Sequence, residues 1–366
     1  MAQEDVAMRI AGGDQQPDHS TICDFRQRHL KVFIKLFREV LQLCEEAGLV
    51  KLGHVALDGT KIKANASQHK AMSYERMVKR EKELEEQVQA LMSKAQETDE
   101  AEDHGYGKGR RGDELPEEMK FKKQRLEKIR EAERALEEAA AQKQREREAL
   151  ERKAAEEGRT VGGHPPKIDP TPDPKAQRNF TDPESRIMKG RDGFVQAYHA
   201  QAGVDAQSQV IVAYEVTDSA VDAQPAKPMM RAVQENLGRS PEKASMDAGY
   251  YSQDNVEALM EAGTDPYIAT GRQKHGEPSL GPPRGRIPQG ATAKERMRRK
   301  LMTRRGRPVY SRRKVIVEPV FGQVKNRGFR QFSFRGLQKV RGEWARVCLT
   351  HNVLKLYRAG FKAGRN

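Results

Sequence analysis

The stretch Lys243–Thr270, KASMDAGYYSQDNVEALMEAGTDPYIAT, decides how the chain folds. It opens as a strand, KASM, and its one acid, Asp247, falls where that strand ends. A small-residue turn and two tyrosines follow. Ser252 then supplies a cap for the helical segment SQDNVEALMEAG, and DPYIAT is extended again. A carboxylate at a strand's C-terminal edge either caps the next element or joins a cluster assembled from distant parts of the chain.

Working outward, GFVQAYHAQAGVDAQSQVIVAYEVT predicts a hairpin, with Phe194–Ala202 and Val210–Val216 as strands around a turn at 205–208. A helix is expected over 223–237, stopped by Gly238. Far upstream, LGHVALDGTKIKANA predicts two short paired strands or one bulged strand, with Asp58 at the strand's inner edge. Residues 1–50 have helical periodicity, with Phe33, Leu36, Val40, Leu41 and Cys44 on one face and Ser20 or Thr21 as cap. From 71 to 158 the composition turns to Glu, Lys, Arg, Ala and Gln, with Met77, Leu84 and Leu91 seven apart. Ile129, Leu136 and Leu150 resume that spacing after the Gly-rich break DHGYGKGRRGDELP, so an antiparallel coiled-coil hairpin is expected. TVGGHPPKIDPTPDP is a linker, GRQKHGEPSLGPPRGRIPQG a basic loop, and the chain beyond Thr292 mostly helical. Neighbouring strands followed by strand–helix alternation predict an α/β fold, a mixed sheet with helices on its faces. The expected divisions are an N-terminal helical region at 1–50, a catalytic domain from 51–70 and 165–366, and the inserted hairpin at 71–158.

The net charge of +14 is unevenly spread. Residues 271–366 carry 26 Lys and Arg against four acids, Glu277, Glu295, Glu318 and Glu343. The preceding 270 residues carry 41 bases and 49 acids. A one-sided cationic segment is the footprint of a polyanion, most simply nucleic acid. A face neutralising roughly 6–10 phosphates loses about 10³–10⁵ in affinity from low to moderate salt. No apolar run is long enough to span a bilayer and the first residues lack a signal-peptide layout, so a cytoplasmic protein with no membrane partner is expected. Cys23, Cys44 and Cys348 match no zinc spacing and are read as buried thiols.

Glu318, in YSRRKVIVEPVFGQVKNRGFRQF, stands among bases. Pro319 fits a helix's first turn, which predicts that Glu318 lies near a helix start, and a seven-residue step puts Lys325 on its face. Taken singly, Asp58 and Asp247 are caps and Glu318 is half of an ion pair. Together they are two strand-edge carboxylates and one helix-borne carboxylate beside a cationic surface. Crowded to 4 Å they repel by about 4 kcal/mol per pair at an effective dielectric near 20. Divalent cations relieve this: Mg²⁺ takes carboxylate oxygens and leaves positions for reacting oxygens, and two ions roughly 3.5–4 Å apart serve phosphodiester displacement.

The blocks ALDGTKIKANAS, GFVQAYHAQAGVDAQSQVIVAYEV, MDAGYYS and VEPVFGQVKNRGFRQFSFRGLQKVRGEWARVCLTHNVLKL resemble bacterial insertion-sequence transposases with an RNase H-like catalytic domain and a DDE triad. The last block is the most specific. The family's signature Y-x₂-R-x₃-E-x₆-K is matched by Tyr310, Arg313, Glu318 and Lys325, except that four residues separate Arg313 from Glu318. Lys314 has the expected distance to Glu318 but stands one residue too far from Tyr310. The resemblance implies that Asp58, Asp247 and Glu318 hold two Mg²⁺ or Mn²⁺ ions. It also implies that Tyr310, Arg313 or Lys314, and Lys325 touch transposon-end DNA.

The implied activity is metal-dependent cleavage at the terminal inverted repeats and joining of 3′-hydroxyls to target DNA, by a homodimer pairing two ends in the bacterial nucleoid. Family members carry a longer N-terminal helical region, so the resemblance implies truncation there, with a retained catalytic site and weakened end binding. Two other classes compete: a transposase-derived DNA-binding protein without catalysis, and a metal-dependent nuclease that cuts without joining. Asp218 and Asp222 follow a strand and read as helix caps. His54 and His199 receive no role, and Trp344 reads as packing.

Overall fold

The computed structural model describes residues 10, 13, 15, 17–106, 117–156, 171–190, 193–218, 226–271 and 285–360. Asp222, most of the linker read at 160–174, most of the loop read at 271–290 and part of the Gly-rich break fall outside them. The chain divides into two compact units: Met1–Asn65 with Gly190–Gly193 and Ala197–Asn366, and Ala66–Lys189 with Phe194–Gln196.

The larger unit begins with α1 (His19–Arg28) and α2 (Leu30–Glu46). The cap of α1 is Asp18, whose Oδ1 accepts from the Thr21 N–H at 2.6 Å, so Ser20 and Thr21, read as candidate caps, lie inside the helix. β1 (Val55–Lys63) is one continuous, unbulged strand, where two short paired strands or one bulged strand were expected. It stays extended through Gly59 because β5 (Phe194–Asp205) pairs with it antiparallel along its whole length, Val55 with Asp205 to Lys63 with Ala197. β6 (Ile211–Thr217) returns antiparallel on β5. The side-chain amide of Asn352 holds the start of β6, accepting from Ile211 N–H at 2.9 Å and donating to its carbonyl at 2.8 Å.

After α5 (Ala226–Leu237) come β7 (Lys243–Met246), α6 (Gln253–Glu261) and β8 (Asp265–Ile268). β7 runs parallel to both β1 and β8, giving the order β6-β5-β1-β7-β8. Ser252 caps α6 as read, its Oγ accepting from Asn255 N–H at 3.0 Å. This mixed sheet flanked by helices is the RNase H-like arrangement that the resemblance implies. Three helices close the unit: α7 (Ala293–Met302), α8 (Gly306–Asn326) and α9 (Leu337–Arg358). Helix α9 comes so close to α2 that a Cβ on Gly342 would fall 2.7 Å from Leu30 Cδ2. Trp344 is fully buried; its Nε1 donates to Gln201 O at 3.0 Å and its ring stacks on Phe321 and Phe329.

The smaller unit carries α3 (Tyr74–Tyr106) and α4 (Glu117–Glu156), with β2 (Ala71–Ser73) on β3 (Gln177–Asn179) at their base. β4 (Arg186–Lys189) belongs to this unit, as do residues Phe194–Gln196. The helices are antiparallel: Tyr74 donates to Glu137 at 2.9 Å, and Arg130, much nearer the start of α4, reaches Glu81 at 2.7 Å and Glu85 as well. Met77, Leu84, Leu126, Ile129 and Ala132 form the seam, a separate small core. Within it Glu133 is buried, and burial with the hydrogen-bonded Glu81 carboxylate raises its pKa to about 7. Glu137 adds to that shift and Arg130 opposes it.

Glu343 is sealed in the larger unit, accepting from Arg26 Nη2 at 2.6 Å and from the backbone N–H groups of Ser333 and Phe334 at 2.9 and 3.2 Å. Glu343→Ala orphans both backbone donors and leaves Arg26 Nη2 with only the longer bond to Ser333 Oγ at 3.5 Å, and chemical denaturation is expected to show a loss of about 3–5 kcal/mol. For Glu133 the folded pKa lies above the unfolded one, so its stabilisation is full below the ordinary glutamate value and is lost as pH rises through about 7. Thermal unfolding of the hairpin is expected to shift down over that window, and Glu133→Gln to remove the dependence.

Candidate functional site

The β1–β7 register builds the site. Val55 lies opposite Ala244 and Ala56 opposite Ser245, so three residues beyond the first pair Asp58 and Asp247 stand level on adjacent parallel strands. Neighbouring strands are about 4.8 Å apart, so the two carboxylates share one stretch of sheet. Asp58 is therefore mid-strand in β1, corrected from the strand-edge reading, yet lies just past the end of the β7 pairing. Asp247 does cap: its Oδ1 accepts from Gly249 N–H at 2.9 Å at the head of a short 3₁₀ turn. Capping uses that one oxygen and leaves the other available.

Asp58 is engaged on both oxygens. Oδ1 accepts from the Gly59 N–H at 2.8 Å, and Oδ2 accepts from Arg313 Nη1 at 2.6 Å. Burial raises the Asp58 pKa, against Arg313 and the Gly59 N–H, and the charge of Asp247 pushes it further up. Arg313 is itself buried, which works against its charge, but Asp58, Tyr310 and Asp247 outweigh that and hold its pKa above the usual value. Tyr310, raised by burial, is hydrogen-bonded to Arg313 and feels both aspartates. One guanidinium thus stands against two acids, paired with Asp58 and leaving a net negative charge.

Gly59 has a role of its own. A Cβ there would fall 2.2 Å from His199 Nε2, so the imidazole of His199 lies directly over the glycine. Burial and the charge of Lys61 lower the His199 pKa, opposed by Asp247 and a bond to the Gly59 backbone. No local pattern marks His199; the β1–β5 register sets it opposite Lys61, and from there its ring covers Gly59, 140 residues away in sequence.

Helix α8 supplies the rest. Pro319 lies deep inside it, so the reading of Glu318 as a residue near a helix start is overturned. Proline cannot donate to the carbonyl four residues back, Val315 O. Gln209 Nε2 takes that acceptor instead, at 3.0 Å, and Ile316, Val317, Val320, Phe321 and Val324 bury the helix face on either side. Glu318 is exposed and makes no ion pair among the described residues, so the paired alternative is not what the structure holds. Seven residues at about 100° each leave Lys325 only about 20° from Glu318 around the axis. Lys325 Nζ donates to Thr60 Oγ1 at 2.6 Å, and Thr60 projects on the same side of β1 as Asp58. The helix therefore contacts β1 through Arg313 at Asp58 and Lys325 at Thr60, with Glu318 between them in sequence. Lys314 is exposed and, among the described residues, makes no such contact with the strand.

Asp58, Asp247, Glu318, Tyr310, Arg313 and Lys325 all belong to the larger unit. Asp58, Asp247, Arg313 and Tyr310 are brought together. Glu318 is not drawn in with the aspartates: among the described residues no group of three or more His, Cys, Asp or Glu side chains is set to hold a metal. Two level carboxylates with hard oxygen donors and an excess of negative charge nonetheless suit a hard divalent cation.

The sequence profile described as the transposase DDE domain matches residues 160–353, more than half of the chain, a span that includes Asp247 and Glu318. No curated protein matches the chain.

Arg313→Gln strips the counter-ion from Asp58 and leaves two facing carboxylates. Denaturation without divalent metal is expected to show a loss of about 3 kcal/mol, and the double variant with Asp58→Asn to recover most of it.

Proposed function

The chain belongs to the transposase DDE-domain family, and from that premise we infer that Asp58, Asp247 and Glu318 are its three catalytic acids. As a member it is a DNA-binding, DNA-cleaving and DNA-joining enzyme whose chemistry depends on divalent metal. The finer assignments are proposals: two Mg²⁺ or Mn²⁺ ions, terminal inverted repeats and target duplex as DNA, and a homodimer pairing two ends. The observation that supports them is the level placement of Asp58 and Asp247 beside a helix whose Glu318 and Lys325 share a face.

Metal bound at these acids would activate a water or 3′-hydroxyl and stabilise the leaving oxygen in a phosphodiester displacement. The chain's own groups have separate tasks. Asp247 keeps one oxygen on the Gly249 N–H, which fixes the direction of the other. Gly59 and the overlying His199 fix the strand at Asp58. Lys325 presents an ammonium on the Glu318 side, where it can hold a non-bridging phosphate oxygen. Arg313 balances Asp58 when no substrate is present, and its guanidinium fork suits a phosphate equally well. Tyr310 holds that fork in place. Glu318 completes the set by a movement of its exposed side chain toward the aspartates.

The test is cleavage of a duplex carrying the element's ends, with Mg²⁺ or Mn²⁺. Asp58→Asn, Asp247→Asn and Glu318→Gln are each expected to lose at least about a hundredfold in cleavage while still binding DNA. Full nicking by Asp247→Asn would refute the assignment. Cutting without joined products favours the nuclease reading, and binding alone favours the non-catalytic one.

A further inference from the structure

A cavity of about 290 Å³ lies between the C-terminal end of α8 and the middle of α9, apart from the acids. Its lining includes Val324, Arg327, Phe329, Arg346, Val347 and Thr350. Arg346 is half-buried, and its Nε is shut off from solvent with no hydrogen-bond acceptor. The nearest acid, Glu343, is already taken by Arg26 and two backbone N–H groups. Among the described residues neither Arg346 nor Arg327 has a carboxylate partner. The surrounding field is positive as well. Burial lowers the Arg346 pKa and Arg26 lowers it further, with Glu343 opposing; Arg327 and Arg358 both act on Lys355 and His351.

A half-buried guanidinium without a counter-ion is costly, and a bound anion relieves it. Two guanidinium forks at one cavity match the tetrahedral oxygens of a phosphate, and Val324, Phe329 and Val347 add an apolar wall. The anion this molecule handles is DNA. Arg327 follows Glu318 by nine residues, about 180° round the helix, so the cavity opens on the side of α8 turned away from Glu318 and Lys325. We propose that this cavity seats a backbone phosphate of DNA, held by Arg346 and Arg327, on a segment other than the one lying at the catalytic acids. The proposal rests on family membership and is independent of which acids bind metal.

The experiment uses the full chain and two readouts that involve no cleavage. Thermal unfolding in sodium phosphate is compared with sodium chloride at matched ionic strength. Binding of a fluorescent duplex is followed over a salt series. The wild type is expected to gain a phosphate-specific rise in Tm that Arg346→Met lacks, with its Tm in chloride unchanged or higher. The salt slope is expected to fall by part of a unit in Arg346→Met and by about 1 in all when Arg327→Met is added, because the two arginines share one phosphate. Should Arg346→Met not fold, Arg346→Lys keeps the charge without the fork and is expected to lose the phosphate response while retaining part of the slope. A double variant that keeps both the phosphate response and the slope overturns the proposal. Loss of the phosphate response with an unchanged slope assigns the cavity to a small phosphate-bearing ligand and overturns the DNA assignment.

Discussion

The parallel register between β1 and β7 is the constraint on which the candidate site depends. Two backbone pairs, Val55 with Ala244 and Ala56 with Ser245, place acids separated by nearly two hundred residues at the same height. A slip of one residue would turn Asp247 to the other face of the sheet. Slippage is opposed by the full-length pairing of β1 with β5, which leaves only β1's other edge for β7. Level carboxylates repel, and the fold accepts that repulsion only with a cation at hand. In the structure that cation is Arg313.

Arg313 reaches Asp58 because α8 runs without a break past Pro319. The helix survives its proline through a contact from elsewhere, the Gln209 amide on Val315 O. Gln209 is in turn held by α9, its side-chain oxygen by Lys355 and its carbonyl by His351. The position of the balancing charge therefore depends on the turn between β5 and β6 and on the last helix. Helix α8 has two working sides: one toward β1 through Arg313 and Lys325, the other toward the basic cavity with α9.

Much of this was legible in the sequence. The strand, turn and Ser252-capped helix around Asp247 follow from local chemistry, and the structure reproduces them. The heptad spacing of Met77 and Leu84 marked the seam of the helical hairpin. Misreadings arose where a distant partner overrides a local signal. Gly59 resembles a strand break until β5 pairs across it, and Pro319 resembles a helix start until Gln209 replaces the missing donor. His199 and Thr60 carry no motif at all; they matter through register and through Lys325. Only Glu318 and Lys325 were read on a common helix; Tyr310 and Arg313 lie on it as well, and spacing alone could not show that Arg313, rather than Lys314, would turn inward to Asp58.

The central claim is that Asp58 and Asp247 form one cation-binding pair, with Arg313 holding the place of the metal's charge. The most direct measurement is a crystal structure of the full chain grown with Mn²⁺, phased so that the metal's anomalous signal locates it. The account predicts a peak bridging Asp58 and Asp247, with the Arg313 guanidinium moved off Asp58 Oδ2. Mn²⁺ seated elsewhere, or an Arg313–Asp58 contact unchanged with no metal between the aspartates, would contradict it.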